Sequence, residues 1–289
     1  MNSMQPEQRC FTINGLHVAA QAWGNPEHLP ILALHGWLDN SASFFALAPL
    51  MNNAYIVALD MAGHGQTSHR LGAFSYNIWE DVAEIFAVAD QLGWQQFALL
   101  GHSRGAIIAT LAAGTFPERI THVGLIEGFQ PEPARGEDTP AQLALSIDAL
   151  KAQSTKKMSV FSDLATAIKA RERGMFPLSF EAAKALTERG VRKVAGGYHW
   201  STDQRLLAPS AIKLLPEQIA AFAGRISCPI TLILAANGLP KRYPNFESTL
   251  AKYPKIKTHM LSGGHHLHME QEAASVADIL NSFFTHVAT

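Results

Sequence analysis

Cysteine is scarce in this chain. Cys10 and Cys228 stand far apart and outside any CxxC or other ligand spacing, which predicts reduced thiols and excludes a cysteine-held metal. No apolar run approaches the length needed to span a bilayer, and residues 1–8 are polar where a secretory signal would be apolar. These absences predict a cytoplasmic protein with no membrane insertion. Charge of either sign is thin as well. Charged residues make up 16% of the chain and nearly cancel, leaving a formal net charge of −1, so no nucleic-acid partner is implied. Internal repeats and low-complexity tracts are absent, and 47% hydrophobic residues exclude a disordered chain.

What is present is a chain of 289 residues, above the usual single-domain size, which predicts one large α/β domain with an inserted subdomain. Alternation around Asn14-Gly15 predicts a β-hairpin over 10–23. Short buried strands are predicted at 31–34, 55–59, 97–100, 121–126, 229–235 and 257–261. Helices are predicted at 43–51, 76–92, 106–113, 245–251 and 270–284. Strands alternating with helices predict a mostly parallel twisted sheet with helices on both faces and ligands at the strands' carboxyl ends. From 129 to 225 the texture changes to helical segments at 142–152, 159–173, 180–194 and 216–223, with no clear strand. That stretch predicts a helical cap, 129–225, over a core made of 1–128 and 226–289. It holds 14 of the 23 Lys and Arg but 10 of the 24 Asp and Glu, an excess that suits anionic substrates and suits a solvated helical surface equally.

The organising motif is Gly101-His102-Ser103-Arg104-Gly105, between an apolar run and a small-residue run. Strand, sharp turn and helix follow from that pattern, with glycines letting strand and helix pass closely and the serine hydroxyl exposed at the apex. The helix that begins there points free N–H groups at the same spot. A serine hydroxyl is a poor nucleophile at neutral pH and needs a base, and the base needs a partner that fixes its tautomer. Gly263-Gly264-His265, after the last strand, offers His265 as that base, with His266 and His268 as alternatives. These three histidines also raise a metal site, but no Cys, Asp or Glu of suitable spacing joins them. No metal and no cofactor is therefore expected. Backbone N–H groups of Trp37 and Arg104 are the expected oxyanion donors. The Trp37 side chain either walls a pocket or packs beneath the cap. Arg104 holds a substrate carboxylate or a salt bridge to the cap, and His102 braces the turn.

His35-Gly36-Trp37, the loop from Asp60 to Ser68, Gly101 to Gly105 and Gly264-His265 occur in an order that resembles the α/β-hydrolase superfamily, over the whole chain. Ile126-Glu127-Gly128, the stretch Gly196 to Leu206 and Gly264 to Met269 are similar to the serine hydrolase-like proteins within it. The resemblance implies an α/β-hydrolase fold and a carboxyl side chain behind the histidine, usually after the strand at 229–235. There the chain reads Ala236-Asn237-Gly238, without a carboxylate. Glu127, at the end of the strand next to that of Ser103, is the candidate acid, unless it pairs with a cap arginine. Asp60 is the alternative, although its setting suits bracing of its own loop. The expected reaction is ester hydrolysis through an acyl-enzyme on a small apolar molecule, by a monomer or homodimer. Thioester, lactone or carbon–carbon bond hydrolysis, and ligand binding without turnover, are the other readings. Phe129, Phe161, Phe176, Tyr198 and Trp200 are candidate pocket aromatics, or ordinary core.

Overall fold

A computed structural model describes residues 5–72, 74–243 and 246–285. Ten strands occur among them: β1 Glu7–Ile13, β2 Leu16–Gly24, β3 Leu29–Leu34, β4 Ala54–Leu59, β5 Phe97–His102, β6 Ile120–Ile126, β7 Val191–Val194, β8 Gly197–Trp200, β9 Ile230–Ala235 and β10 Ile256–Leu261. The helices are α1 Ile78–Gln91, α2 Arg104–Thr115, α3 Thr139–Thr155, α4 Leu164–Glu172, α5 Phe180–Gly190, α6 Pro216–Arg225, α7 Leu239–Arg242, α8 Phe246–Leu250 and α9 Ala273–Phe284. Eight strands form one sheet in the order β1-β2-β4-β3-β5-β6-β9-β10. β1 pairs antiparallel with β2, and β2 antiparallel with β4; from β4 to β10 every pairing is parallel. The turn joining β1 to β2 has positive φ at both Asn14 (49°) and Gly15 (82°), the geometry that matches the twist of a two-residue hairpin.

The central strands are continuous apolar runs because both faces of a parallel sheet are covered. All six residues of β4 and all six of β5 are buried. Edge strand β10 instead mixes partly covered and exposed residues. One face carries Leu32, Leu34, Val57, Leu99 and Val123 against α1, α2 and Ile219 of α6. The other carries Ile31, Ala33, Ile56, Leu100 and Ile233 against Phe44, Leu47 and Leu280 of α9. The chain moves from β3 outward to β4, then returns across β3 to β5. Ligands bind at such a reversal.

Three predicted elements differ. The helix expected over 43–51 is a pair of 3₁₀ turns, Ser41–Phe44 and Ala48–Leu50. Asn40 caps the first by accepting from the Ala42 N–H, and Pro49 sits in the second, where it cannot donate to a longer helix. The helix expected over 159–173 starts at Leu164, where Asp163 accepts from the Thr166 N–H. The stretch 180–194 leaves the helix at Gly190, and β7 and β8 then form an antiparallel hairpin. β-Branched Val191 and Val194 with the turn at Gly196 (φ 84°) favour strand there. The insertion therefore contains a small sheet, and Phe161 adds to it through two backbone bonds with Tyr198.

The insertion is fastened to loops at the carboxyl ends of the main sheet. Arg171 pairs with Asp39 at 2.5 Å, Tyr76 donates to Asp203 at 2.8 Å, and Trp37 Nε1 donates to the Leu206 carbonyl at 3.0 Å. Arg189 donates to both oxygens of Asp60. Among the described residues, no helix is long and apolar enough to cross a membrane.

Candidate active site

Ser103 occupies the junction between β5 and α2 with φ 52° and ψ −115°, a conformation that a non-glycine residue adopts only when its surroundings enforce it. The flanking glycines enforce it by close contact. A Cβ at Gly101 would sit 2.5 Å from the Gly105 carbonyl oxygen, and one at Gly105 would sit 2.1 Å from the carbonyl oxygen of Leu34 on β3. Strand and helix can approach this closely only without those side chains. The Ser103 Oγ then lies 2.9 Å from His265 Nε2, supplied by the loop after β10.

The other ring nitrogen, His265 Nδ1, is 2.9 Å from Glu127 Oε2. A carboxylate oxygen accepts, so Nδ1 carries the proton and the Nε2 lone pair faces the serine hydroxyl. Glu127 is fully buried and has a positive φ of 52°. Its charge is met by donors: the Ala235 N–H reaches Oε1 at 2.7 Å and the Leu239 N–H reaches Oε2 at 2.8 Å. Such bonds to a charged acceptor contribute about 1.5–3 kcal/mol each. No cap arginine pairs with it among the described residues.

The absence of a carboxylate after β9 now has a physical counterpart. A Cβ on Gly238 would stand 2.1 Å from Glu127 Oε2. The turn after β9 has given up its side chain, and the carboxylate of Glu127, reaching across from β6, fills that space.

The remaining histidines and acids have other partners. His102 Nε2 donates to the His265 carbonyl at 2.9 Å, which holds the loop carrying that imidazole. Burial, then the imidazoles of His268, His265 and His266, keep His102 well below the ordinary histidine range. His268 lies 2.9 Å from the Ser43 hydroxyl, and burial pushes it down to about 3. His266 Nε2 is 3.2 Å from Asp39 Oδ2. Burial pushes the Asp39 carboxyl up, but His266 and the Arg171 guanidinium outweigh it and hold it well below the usual carboxylate range. Asp60 accepts from the Ser41 and Gln66 N–H groups and from Arg189, so it braces its loop and does not approach His265. Asp39, His102 and His266 are the one group among the described residues with ligand atoms close enough for a cation, within 4.8 Å of one another. Asp39 is already bonded to His266 and Arg171.

Arg104 opens α2, where the first N–H groups have no acceptor within the helix. Its guanidinium pairs with Asp81 of α1, not with the insertion as one reading of the sequence had it. Asp81 is buried and also held by Arg70 at 2.8 Å, a partner that sequence spacing does not announce. The Arg104 side chain faces a separate cavity of about 480 Å³. Trp37 lies under the insertion through its bond to Leu206 and also lines the cavity at Ser103.

That cavity measures about 810 Å³ and is bounded by Ser103, His265, Trp37, Phe161, Phe176 and Trp200. Met158, Met175 and Leu207 extend its apolar wall. Phe176 stacks on the His265 ring at 4.1 Å between centroids. Two candidate pocket residues lie elsewhere. Phe129 is buried in the main core against Tyr253, and Tyr198 sits in β8, its backbone bonded to Phe161, away from the cavity wall. Position in the chain does not separate an aromatic that packs into the core just beyond a strand from one that faces a cleft. Arg171, Met158, Met175 and Arg242 also line the cavity without any local motif to mark them.

Residues 30–154 match the family described as alpha/beta hydrolase fold. The chain is similar to serine hydrolase-like protein 2 of Homo sapiens, with 32% identity over 92% of this chain and 90% of that protein. A solved structure of the hypothetical protein PA1622 from Pseudomonas aeruginosa PAO1 shares 40% identity with a TM-score of 0.93, covering 97% of this chain and all of that one. The thioesterase domain from the curacin biosynthetic pathway shares 31% identity with a TM-score of 0.82, over 95% of this chain and 99% of its own.

Proposed function

The chain belongs to the α/β-hydrolase family, and from that premise we propose that it is a serine hydrolase of carboxylic esters, with Ser103 as nucleophile, His265 as base and Glu127 as the acid that orients it. The observation that carries this reading is the unbroken chain of bonds from Ser103 Oγ to His265 to Glu127, each step 2.9 Å. His265 Nε2 takes the hydroxyl proton as Oγ attacks the ester carbonyl carbon. The N–H groups of Trp37 and Arg104 receive the negative charge on the carbonyl oxygen, which is worth about 3–4 kcal/mol per donor in comparable sites. The imidazolium returns its proton to the leaving alcohol as the carbon–oxygen bond breaks. Water, activated by the same imidazole, then frees the acid from Ser103. Glu127 holds the tautomer and stabilises the imidazolium throughout.

Residues 129–225 act as a cap that closes the cavity over Ser103 and supplies Phe161, Phe176 and Trp200 to its wall. A volume of about 810 Å³ suits a small molecule, and the apolar wall suits an apolar body. The likeness to a thioesterase domain supports a second reading, in which the acyl group arrives as a thioester and meets the same residues. Hydrolysis of short 4-nitrophenyl and S-acyl thioester substrates tests both. Turnover that disappears in folded Ser103→Ala supports the reading; turnover that persists in that variant overturns it. The ratio of the two rates selects between ester and thioester.

A further inference from the structure

The charges on the cavity wall are unbalanced. Lys156, Lys157 and Arg242 line it, and none of the three forms an ion pair among the described residues. The acidic side chain lining it there, Asp39, is buried and committed to Arg171 and His266. Three solvent-exposed cations thus border the cleft with no acidic partner among the described residues. Low-dielectric apolar walls focus such a field and raise the local concentration of anions.

Arg242 has a defined position. Its guanidinium lies over the Phe176 ring, 4.2 Å from the centroid, and Phe176 is itself stacked on the His265 imidazole at 4.1 Å. The two contacts keep the guanidinium within about 8 Å of that imidazole. A ring face steadies the cation and leaves its N–H fork free for a planar anion. Lys156 and Lys157 follow directly on the last residue of α3, so they bring charge to the cavity from the insertion, whereas Arg242 ends α7, outside it.

We infer that the site takes substrates whose acyl part carries a negatively charged group, a carboxylate or an oxyanion of similar charge, remote from the bond that is cleaved. The anion pairs with Arg242, Lys156 and Lys157 supply the field that draws it in, and the apolar wall holds the chain between the anion and the carbonyl. This inference rests on the ester-hydrolase reading above and names the substrate class for the same site.

The test compares the 4-nitrophenyl monoester of adipic acid with 4-nitrophenyl hexanoate in the full chain. The expected kcat/KM favours the anionic ester by about tenfold at low salt, and the preference shrinks as salt rises. Arg242→Gln brings the ratio of the two esters close to one, and Arg242→Lys restores part of it. A wild-type ratio of one, or a ratio that Arg242→Gln leaves unchanged, overturns the inference while leaving the hydrolase reading intact. If neither ester is turned over, calorimetric binding of adipic acid monoanilide against hexananilide decides. Tighter binding of the anion that Arg242→Gln abolishes supports the inference although the hydrolase reading fails, and equal binding overturns it. Phosphatidylserine vesicles that accelerate both esters alike, with no preference for the soluble anion, would assign these cations to a lipid surface and overturn it too.

Discussion

Glu127→Gln exchanges one carboxylate oxygen for an NH₂ with almost no change in shape, and the surroundings make that exchange costly. Oε1 faces the Ala235 N–H at 2.7 Å; Oε2 faces the Leu239 N–H at 2.8 Å and His265 Nδ1 at 2.9 Å. Wherever the NH₂ settles, it meets a donor. At the Oε1 position it strands the Ala235 N–H, at about 1–3 kcal/mol for an unsatisfied buried group. At the Oε2 position it opposes two donors, and the imidazole relieves the conflict by moving its proton to Nε2, which leaves no lone pair for Ser103. In both cases the charge that stabilises the imidazolium is gone. Replacing a triad carboxylate by its amide lowers kcat by about 10⁴, or about 5.5 kcal/mol. We expect kcat to fall by about 10³–10⁴ with a small change in KM, and Tm to fall by only a few degrees. Steady-state hydrolysis of a 4-nitrophenyl ester measures the first, and thermal unfolding the second. A kcat within about threefold of wild type, in folded protein, would refute the assignment of Glu127 as the orienting acid.

The other predictions rest on different contacts. Gly238→Ala places a Cβ 2.1 Å from Glu127 Oε2; activity should drop by about a hundredfold or more, while an unaffected rate would mean that the carboxylate position is not critical. The pH dependence of stability has a defined sign. His35, His64, His102 and His268 are buried with lowered values, so their neutral forms contribute stability that is fully present above about pH 6.5, the unfolded value. That contribution is lost as pH falls toward the folded values, at about 1.4 kcal/mol per pH unit for each such histidine. For His268 the window runs from about 6.5 down to about 3. Denaturant midpoints measured at about pH 7.5 and about pH 5.5 should differ accordingly, and equal midpoints would contradict the burial of these rings as neutral groups.

How much of this was legible in the chain depends on the range of the interaction. Central strands such as Ile31 to Leu34 announce themselves, since two covered faces demand an unbroken apolar run, and Asn14-Gly15 announces its turn through the positive φ that both residues tolerate. Ser103 stands out because the glycines beside it answer to local sterics. The hairpin Val191 to Trp200 did not, because a good helical run precedes it and one of its backbone partners, Phe161, is distant in sequence. Phe129 and Phe161 look alike as letters; one is buried in the main core beyond β6 and the other borders the cleft. The reach of Glu127 toward Gly238 is foreshadowed only by a missing carboxylate, an absence whose meaning appears once β6 and β9 are known to be neighbours. Partners such as Arg104 with Asp81, or Arg171 with Asp39, leave no local trace at all.

The central claim is that Ser103 is an activated nucleophile, and covalent labelling tests it without knowledge of the natural substrate. Wild-type protein treated with a fluorophosphonate at neutral pH and digested should carry one phosphonyl group on the peptide containing Ser103, and His265→Gln should slow that labelling strongly. Folded wild-type protein whose Ser103 peptide remains unmodified would contradict the claim.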